Sequence, residues 1–168
     1  MALGFGWPQA LIALVIVQRL GELWLSRRNG ERLLAQGAVE LGARHYALIV
    51  GLQVLWLATL LVFAPSDAAL QPFWLGVYVL LQGLRFWVIL SLGRYWTTRV
   101  YHLPGAPLVR RGPYRWLRHP NYVVVLAEVV VLPLVVHLWW AAVAFGVLHS
   151  AVLYWRIRVE ETGLAQRR

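Results

Sequence analysis

The sequence predicts an all-α, polytopic membrane protein with five transmembrane helices, the last two forming a helical hairpin. Three observations predict it. The chain is 60% hydrophobic over 168 residues with a mean hydropathy of +0.61, too apolar for a soluble domain of this size. All sixteen basic residues are arginine, and fourteen of them gather in alternate loops and the tail instead of on one face. Turn and stop signals, such as Pro65-Ser66-Asp67 and Pro133, separate the apolar stretches at membrane-spanning intervals.

Span one runs from about Trp7 to Leu25. It has no basic n-region and no A-x-A cleavage site, so it reads as a retained helix and not a signal peptide. The polar stretch Ser26–His45 follows, then span two, Tyr46–Ala64. Span three is Pro72–Gly93, followed by the long loop Arg94–His119. Proline is well tolerated in a first helical turn, where its absent N–H has no intrahelical partner, so His119-Pro120 opens span four. Span four covers residues 121–135, a tight connection at Val136-His137-Leu138 reverses the chain, and span five covers 139–155. The tail Arg156–Arg168 is polar, and no internal repeat divides the chain, so residues 1–168 form a single membrane-embedded domain.

The arginines orient this topology. Loop 26–45 holds Arg27, Arg28, Arg32 and Arg44; loop 94–119 holds Arg94, Arg99, Arg110, Arg111, Arg115 and Arg118; the tail holds Arg156, Arg158, Arg167 and Arg168. Residues 1–6, 65–71 and 136–138 hold none. By the positive-inside rule the N-terminus lies outside and the C-terminus in the cytoplasm, as for a bacterial inner membrane.

Composition also excludes chemistries. The sequence pI near 11 suggests nucleic acid, but the arginines follow membrane topology and no nucleic-acid partner is expected. Without cysteine there is no disulfide or thiolate catalysis. The histidines (45, 102, 119, 137, 149) form no i,i+4 pair, so no metal is expected, and there is no Gly-x-Ser-x-Gly, P-loop or Gly-x-Gly-x-x-Gly.

Polar residues inside the spans share a depth. At 1.5 Å per residue, Gln18, Arg19, Gln53, Arg85, Glu128, His149 and Ser150 lie about 10 Å from the cytoplasmic ends, with Glu22 shallower and Gln82 deeper. Ionisable groups at this depth face a protein interior or a wet cavity. The layer reads either as a buried network, Arg19 with Glu22 and Arg85 with Glu128, or as the polar floor of a cavity. The common depth favours a cavity lined by Arg19, Glu22, Arg85, Glu128 and His149. His149 taken alone reads as a satisfied interior residue.

Above the layer, Arg110, Arg111, Arg115 and Arg118 lead through Gly112-Pro113-Tyr114 to His119-Pro120-Asn121-Tyr122 at a helix N-terminus, whose free N–H groups suit a charged ligand. The hairpin puts this start of span four beside the end of span five, where Glu160-Glu161 follow Arg156 and Arg158. The carboxylates are either ion-paired at the membrane surface, a weak interaction, or part of a site with both signs that suits a zwitterion. Asn121, Val125 and Glu128 lie on one helical stripe between the mouth and the polar layer.

Gly112-Pro113-Tyr114-Arg115, Arg118-His119-Pro120-Asn121-Tyr122 and the later Arg156-x-x-x-Glu160-Glu161 resemble the isoprenylcysteine carboxyl methyltransferase family. The likeness covers roughly residues 94–164. Arg19-Leu20-x-Glu22-Leu23-x-x-Ser26-x-Arg28-Asn29 and Gly42-Ala43-Arg44-His45-Tyr46 are similar to a short bacterial branch that includes alkylpyrone O-methyltransferases. The resemblance implies S-adenosylmethionine as cofactor, held in the half 94–168 by His119 and the backbone around Pro120, Asn121 and Tyr122. It implies that Leu108 and Val109 run along the cofactor, that Tyr114 joins its wall, and that Glu160 and Glu161 sit near its ammonium. Arg115, Arg118 and Arg156 become candidates for orienting the acceptor or the cofactor carboxylate. Methyl transfer to a carboxylate or acidic enol needs no strong base, because the acceptor is already an anion; the protein positions the partners and excludes water. The expected acceptor is lipophilic, reached sideways through membrane lipid. Two rivals remain: an NADPH-dependent reductase of the sterol-reductase type, and a non-enzymatic scaffold whose arginines contact anionic lipid heads.

Overall fold

The computed structural model describes residues 6–41, 43–105 and 109–165, with the side chains of 43–45 and 159–165 left aside. Five α-helices carry the chain: α1 (Trp7–Ala35), α2 (Ala43–Phe63), α3 (Pro72–Leu92), α4 (Pro120–Val135) and α5 (Trp139–Ala165). Two three-residue strands, β1 (Val39–Leu41) and β2 (Val100–His102), pair antiparallel with Glu40 opposite Tyr101. The all-α expectation therefore needs one addition, a strand pair joining the two arginine-bearing loops.

Four helices, α1, α2, α3 and α5, are long and apolar enough to cross a membrane. Their outward faces are apolar, with Leu14, Val17, Leu55, Val79, Leu90 and Val147 all exposed. α4 has 16 residues, so it reaches about 24 Å, short of a hydrocarbon core of about 30 Å. It is also the most enclosed helix, burying Val124, Glu128, Val129, Val131, Leu132 and Val135.

The main apolar core lies toward the end that lacks arginine. Ile12 and Val15 of α1, Trp56 and Leu60 of α2, Tyr78 of α3, Leu132 and Val135 of α4 and Phe145 of α5 meet there. Gln9 donates to the Ala64 carbonyl at 2.8 Å, tying the start of α1 to the end of α2. The reversal at Val136-His137-Leu138 matches the expected hairpin turn, with His137 in the left-handed region at φ 62°. Its ring reaches the Ala69 carbonyl at 2.8 Å and Gln71 at 3.1 Å, so the turn is pinned to the α2–α3 connection.

Two boundaries differ from expectation. Residues 26–35 continue α1 as helix, where a polar loop was expected. Composition makes this segment look like a loop, but Ser26, Asn29, Gly30 and Leu33 form a buried stripe at helical spacing. The helix stops where Gly37 turns to φ +89°, with Ala38 N–H on the Leu33 carbonyl and Gly37 N–H on that of Leu34, a Schellman closure. Likewise the polar tail stays helical through Ala165.

Candidate active site

The polar groups within the spans separate into two places. Arg19, Glu22, Arg85 and Glu128 form a closed circuit of alternating charge contributed by α1, α3 and α4. Arg19 binds Glu22 at 3.1 Å and Glu128 at 2.7 Å. Arg85 binds Glu128 at 2.7 Å and grips both oxygens of Glu22 with Nε and Nη2. Gln82 donates to Glu128 at 2.7 Å, and Gln18 bridges Glu22 at 3.0 Å to Gln82 at 2.8 Å. Glu128 is 0% exposed. A buried carboxylate is tolerable only with such saturation, and two arginines with two glutamates cancel in charge. The pairs Arg19–Glu22 and Arg85–Glu128 are thus present as parts of one network.

The other members of the expected layer stand apart. His149 on α5 directs Nδ1 to the Phe145 carbonyl at 3.0 Å and sets its ring edge-on to Trp56 at 6.3 Å. Ser150 donates to Gly146 O of its own helix. Shared depth did not mean shared contact: α1, α3 and α4 enclose the ion circuit, and His149 turns toward α2.

The second place is the start of α4. His119 is the residue before Pro120, with φ −131° and ψ 57°, and its side chain makes no cap bond; its carbonyl accepts from the Tyr122 N–H at 3.1 Å, and Pro120 has no N–H. Its ring stacks on Tyr122 with centroids 5.4 Å apart and planes 8° from parallel. The Arg156 guanidinium of α5 lies 5.3 Å from the centre of the same Tyr122 ring and donates to the Thr98 carbonyl at 2.9 Å. The hairpin therefore does bring the end of span five to the start of span four. Asn121 adds a buried Oδ1 with no hydrogen-bond partner among the described residues. A buried amide oxygen without a donor costs about 1–3 kcal/mol, which a ligand donor would recover.

Local sequence explains how the loop is held beside this point. Gly112, at φ +56°, sits so close to Ser91 that a Cβ there would collide with its hydroxyl and crowd the Trp87 indole. Arg111 donates to the Ser91 carbonyl at 2.9 Å, and Trp116 packs edge-on against Trp87. Tyr114 is half-buried in the 3-10 turn Gly112–Arg115, and burial pushes its hydroxyl pKa up to about 12. Arg115 and Arg118 are exposed. Val109 is half-buried. Leu108 and the side chains of Glu160 and Glu161 lie outside the described residues; the backbone of the two glutamates continues α5 one turn beyond Arg156.

Ser26, Asn29 and Tyr46, quoted above only for the family resemblance, hold the segment around Thr98, a role the sequence did not give them. Ser26 Oγ accepts from Thr98 N–H and contacts Thr98 Oγ1, both at 2.8 Å, and Tyr46 OH reaches Thr98 Oγ1 at 3.2 Å. Asn29 donates to the Gly93 and Trp96 carbonyls. The spacing Ser26-x-x-Asn29-Gly30 on an otherwise apolar stripe was the available signal.

Residues 74–166, more than half the chain, match the isoprenylcysteine carboxyl methyltransferase family. The uncharacterized protein YpbQ of Bacillus subtilis is 35% identical over 160 residues, covering 93% of this chain and 95% of that one. An uncharacterized protein of Haemophilus influenzae is 25% identical over 158 residues, covering 91% and 92%. No solved structure matches the chain. The matched segment contains α4, α5 and the arginine loop between α3 and α4, and the chain belongs to the isoprenylcysteine carboxyl methyltransferase family of membrane methyltransferases.

Proposed function

We propose that this protein transfers a methyl group from S-adenosylmethionine to the carboxylate or acidic enol oxygen of a lipophilic acceptor, isoprenylcysteine-like or alkylpyrone-like. The observation that carries the reading is the α4 N-terminus, where Tyr122 is stacked by His119 and lies under Arg156 beside the unpartnered Asn121 Oδ1. These groups fit a zwitterionic cofactor. The positive end of the α4 dipole and a guanidinium attract a carboxylate. The Asn121 oxygen accepts from an ammonium, and Glu160 and Glu161 follow Arg156 by one turn in the sequence of α5. His119 and Tyr122 offer aromatic surface for a cationic or planar group.

The cofactor, when bound, supplies an activated methyl group and a neutral leaving group. The chain's own residues position and desolvate. Arg115 and Arg118, exposed at the mouth, attract an anionic acceptor and hold its oxygen toward the α4 N-terminus. Arg156 is fixed by Tyr122 and the Thr98 carbonyl, so its charge is already in place when the ligands arrive, which avoids reorganisation in the reaction. The ion circuit acts at a distance: Glu128 sits seven residues beyond Asn121, about 10 Å along α4, and locks that helix to α1 and α3.

In this reading α4 crosses with the other four helices, giving five spans. The N-terminus is outside, and the arginine-rich end with the active site is cytoplasmic, in a bacterial inner membrane. The lipid acceptor enters sideways while the soluble cofactor arrives from the cytoplasm.

Calorimetry on the detergent-purified protein tests the reading. S-adenosylhomocysteine should bind and NADPH should not; binding of NADPH alone would select a reductase, and binding of neither would select a scaffold. Tritium transfer from labelled S-adenosylmethionine into a membrane lipid extract then identifies the acceptor class.

A further inference from the structure

Next to the Thr98 segment, beside Ser26 and Tyr46, the structure holds a cavity of about 440 Å³. The arginine-rich extension of α1 forms one wall through Leu23, Arg27, Glu31 and Leu34, and Tyr46 of α2 and Arg99 and Tyr101 of the β2 segment form the other. Tyr101 packs directly on Gly30, where a Cβ would press into the ring, so α1 and β2 approach closely at the cavity's back. Arg99 lies 4.4 Å from the centre of the Tyr46 ring and is bound to Glu40 at 2.8 Å, which fixes its guanidinium at the rim.

The lining changes character along α1. Leu23 stands at the end of the apolar stretch, and Arg27 and Glu31 follow one and two turns beyond it. The Arg27–Glu31 pair, at 3.1 Å, is open to solvent, with the two side chains 83% and 65% exposed. An exposed pair of this kind is worth at most about 1 kcal/mol, so a stronger anion displaces Glu31 easily. Arg28 and Arg32 on the same extension are exposed too, which leaves the region positive. A cavity of this build has an apolar lower edge, two tyrosine hydroxyls and two guanidiniums at the level where a bilayer's hydrocarbon gives way to head groups.

We propose that this cavity binds the head group of an anionic phospholipid, with its phosphate between Arg27 and Arg99 and its acyl chain running down past Leu23. The site lies outside the cofactor cradle and shares only the Thr98 segment with it: Tyr46 and Ser26 hold the Thr98 side chain, and Arg156 holds its carbonyl. Lipid binding here does not depend on the methyltransferase reading.

The test is a titration of the full-length protein in mild detergent with short-chain phosphatidylglycerol or phosphatidylcholine, followed by native mass spectrometry. Phosphatidylglycerol should be retained preferentially. Arg27→Gln, which removes an exposed guanidinium and leaves the fold intact, should weaken its retention about fivefold, the usual worth of one arginine near an anionic lipid. Glu31→Gln removes the competing carboxylate and should tighten retention. Equal retention of the two lipids would overturn the proposal, as would both variants shifting affinity in the same direction or neither shifting it. Displacement of the lipid by inorganic phosphate alone would overturn the lipid assignment.

Discussion

Two polar regions lie about 10 Å apart on one stripe of α4 and are built in opposite ways. Around Glu128 every carboxylate oxygen meets a donor, two arginines balance two glutamates, and the carboxylate is fully enclosed. Around Asn121 a buried amide oxygen has no partner among the described residues, no side chain caps the helix, and Arg115 and Arg118 face solvent. In an apolar environment an unmatched charge is costly, so a matched set builds architecture and an unmatched one is tolerated where a ligand completes it. The ion circuit is the frame, and the α4 N-terminus beyond it is the proposed site.

Breaking the frame should have the largest effect. Arg85→Ala leaves Glu22 and Glu128 sharing one arginine and should cost about 3–5 kcal/mol, read from thermal unfolding in detergent. Adding Glu128→Gln should restore part of that loss, because Arg19 and Glu22 remain a neutral pair. Strict additivity of the two substitutions would remove the circuit as the explanation.

At the mouth the opposite signature is expected. His119→Ala removes the face stacked on Tyr122 and should weaken S-adenosylhomocysteine about tenfold, or about 1.4 kcal/mol, without lowering the melting temperature. Unchanged affinity would sink the assignment of the cradle. Asn121→Leu sharpens the contrast further. Because Oδ1 has no partner to lose, the unliganded protein should be as stable as before, while ligand affinity falls by several-fold, about 1 kcal/mol. A clear loss of unliganded stability would mean that Asn121 belongs to the frame.

Smaller effects come from the supports. Ser26→Ala removes both contacts to Thr98 and should cost about 1 kcal/mol of stability. Tyr114 gives a pH signature. Its pKa, raised by burial to about 12, exceeds that of an unfolded tyrosine near 10. Below pH 10 both states are protonated and nothing changes. Between about 10 and 12 the unfolded chain ionises first, so stability falls as pH rises. Tyr114→Phe should flatten that decline, and a decline of unchanged slope would assign it to another group.

Much of this was legible in the residues. The five helices follow from apolar runs and their Pro and Gly boundaries, and the hairpin from Pro133 and the short connection at 136–138. The proposed cradle at His119–Tyr122 rests on a motif carried in consecutive residues. The α1 extension was less visible, since Arg27, Arg28, Glu31 and Arg32 give a helix the composition of a loop. The strands were beyond reach, because three residues hold no periodicity and their pairing spans sixty positions. Thr98 lies in no motif, and Tyr46 ends one that says nothing of its contact with Thr98; their role rests on contact with Ser26 and with each other.

The sequence by itself determined depth. Rise along a helix is a local property, so counting residues places Arg19, Arg85, Glu128 and His149 at comparable levels before any packing is known. The tertiary structure decided company. Which helices adjoin, and which face each turns inward, depends on the packing of all five at once. That packing closed Arg19, Glu22, Arg85 and Glu128 into a circuit, sent His149 to Trp56 and brought Arg156 over Tyr122.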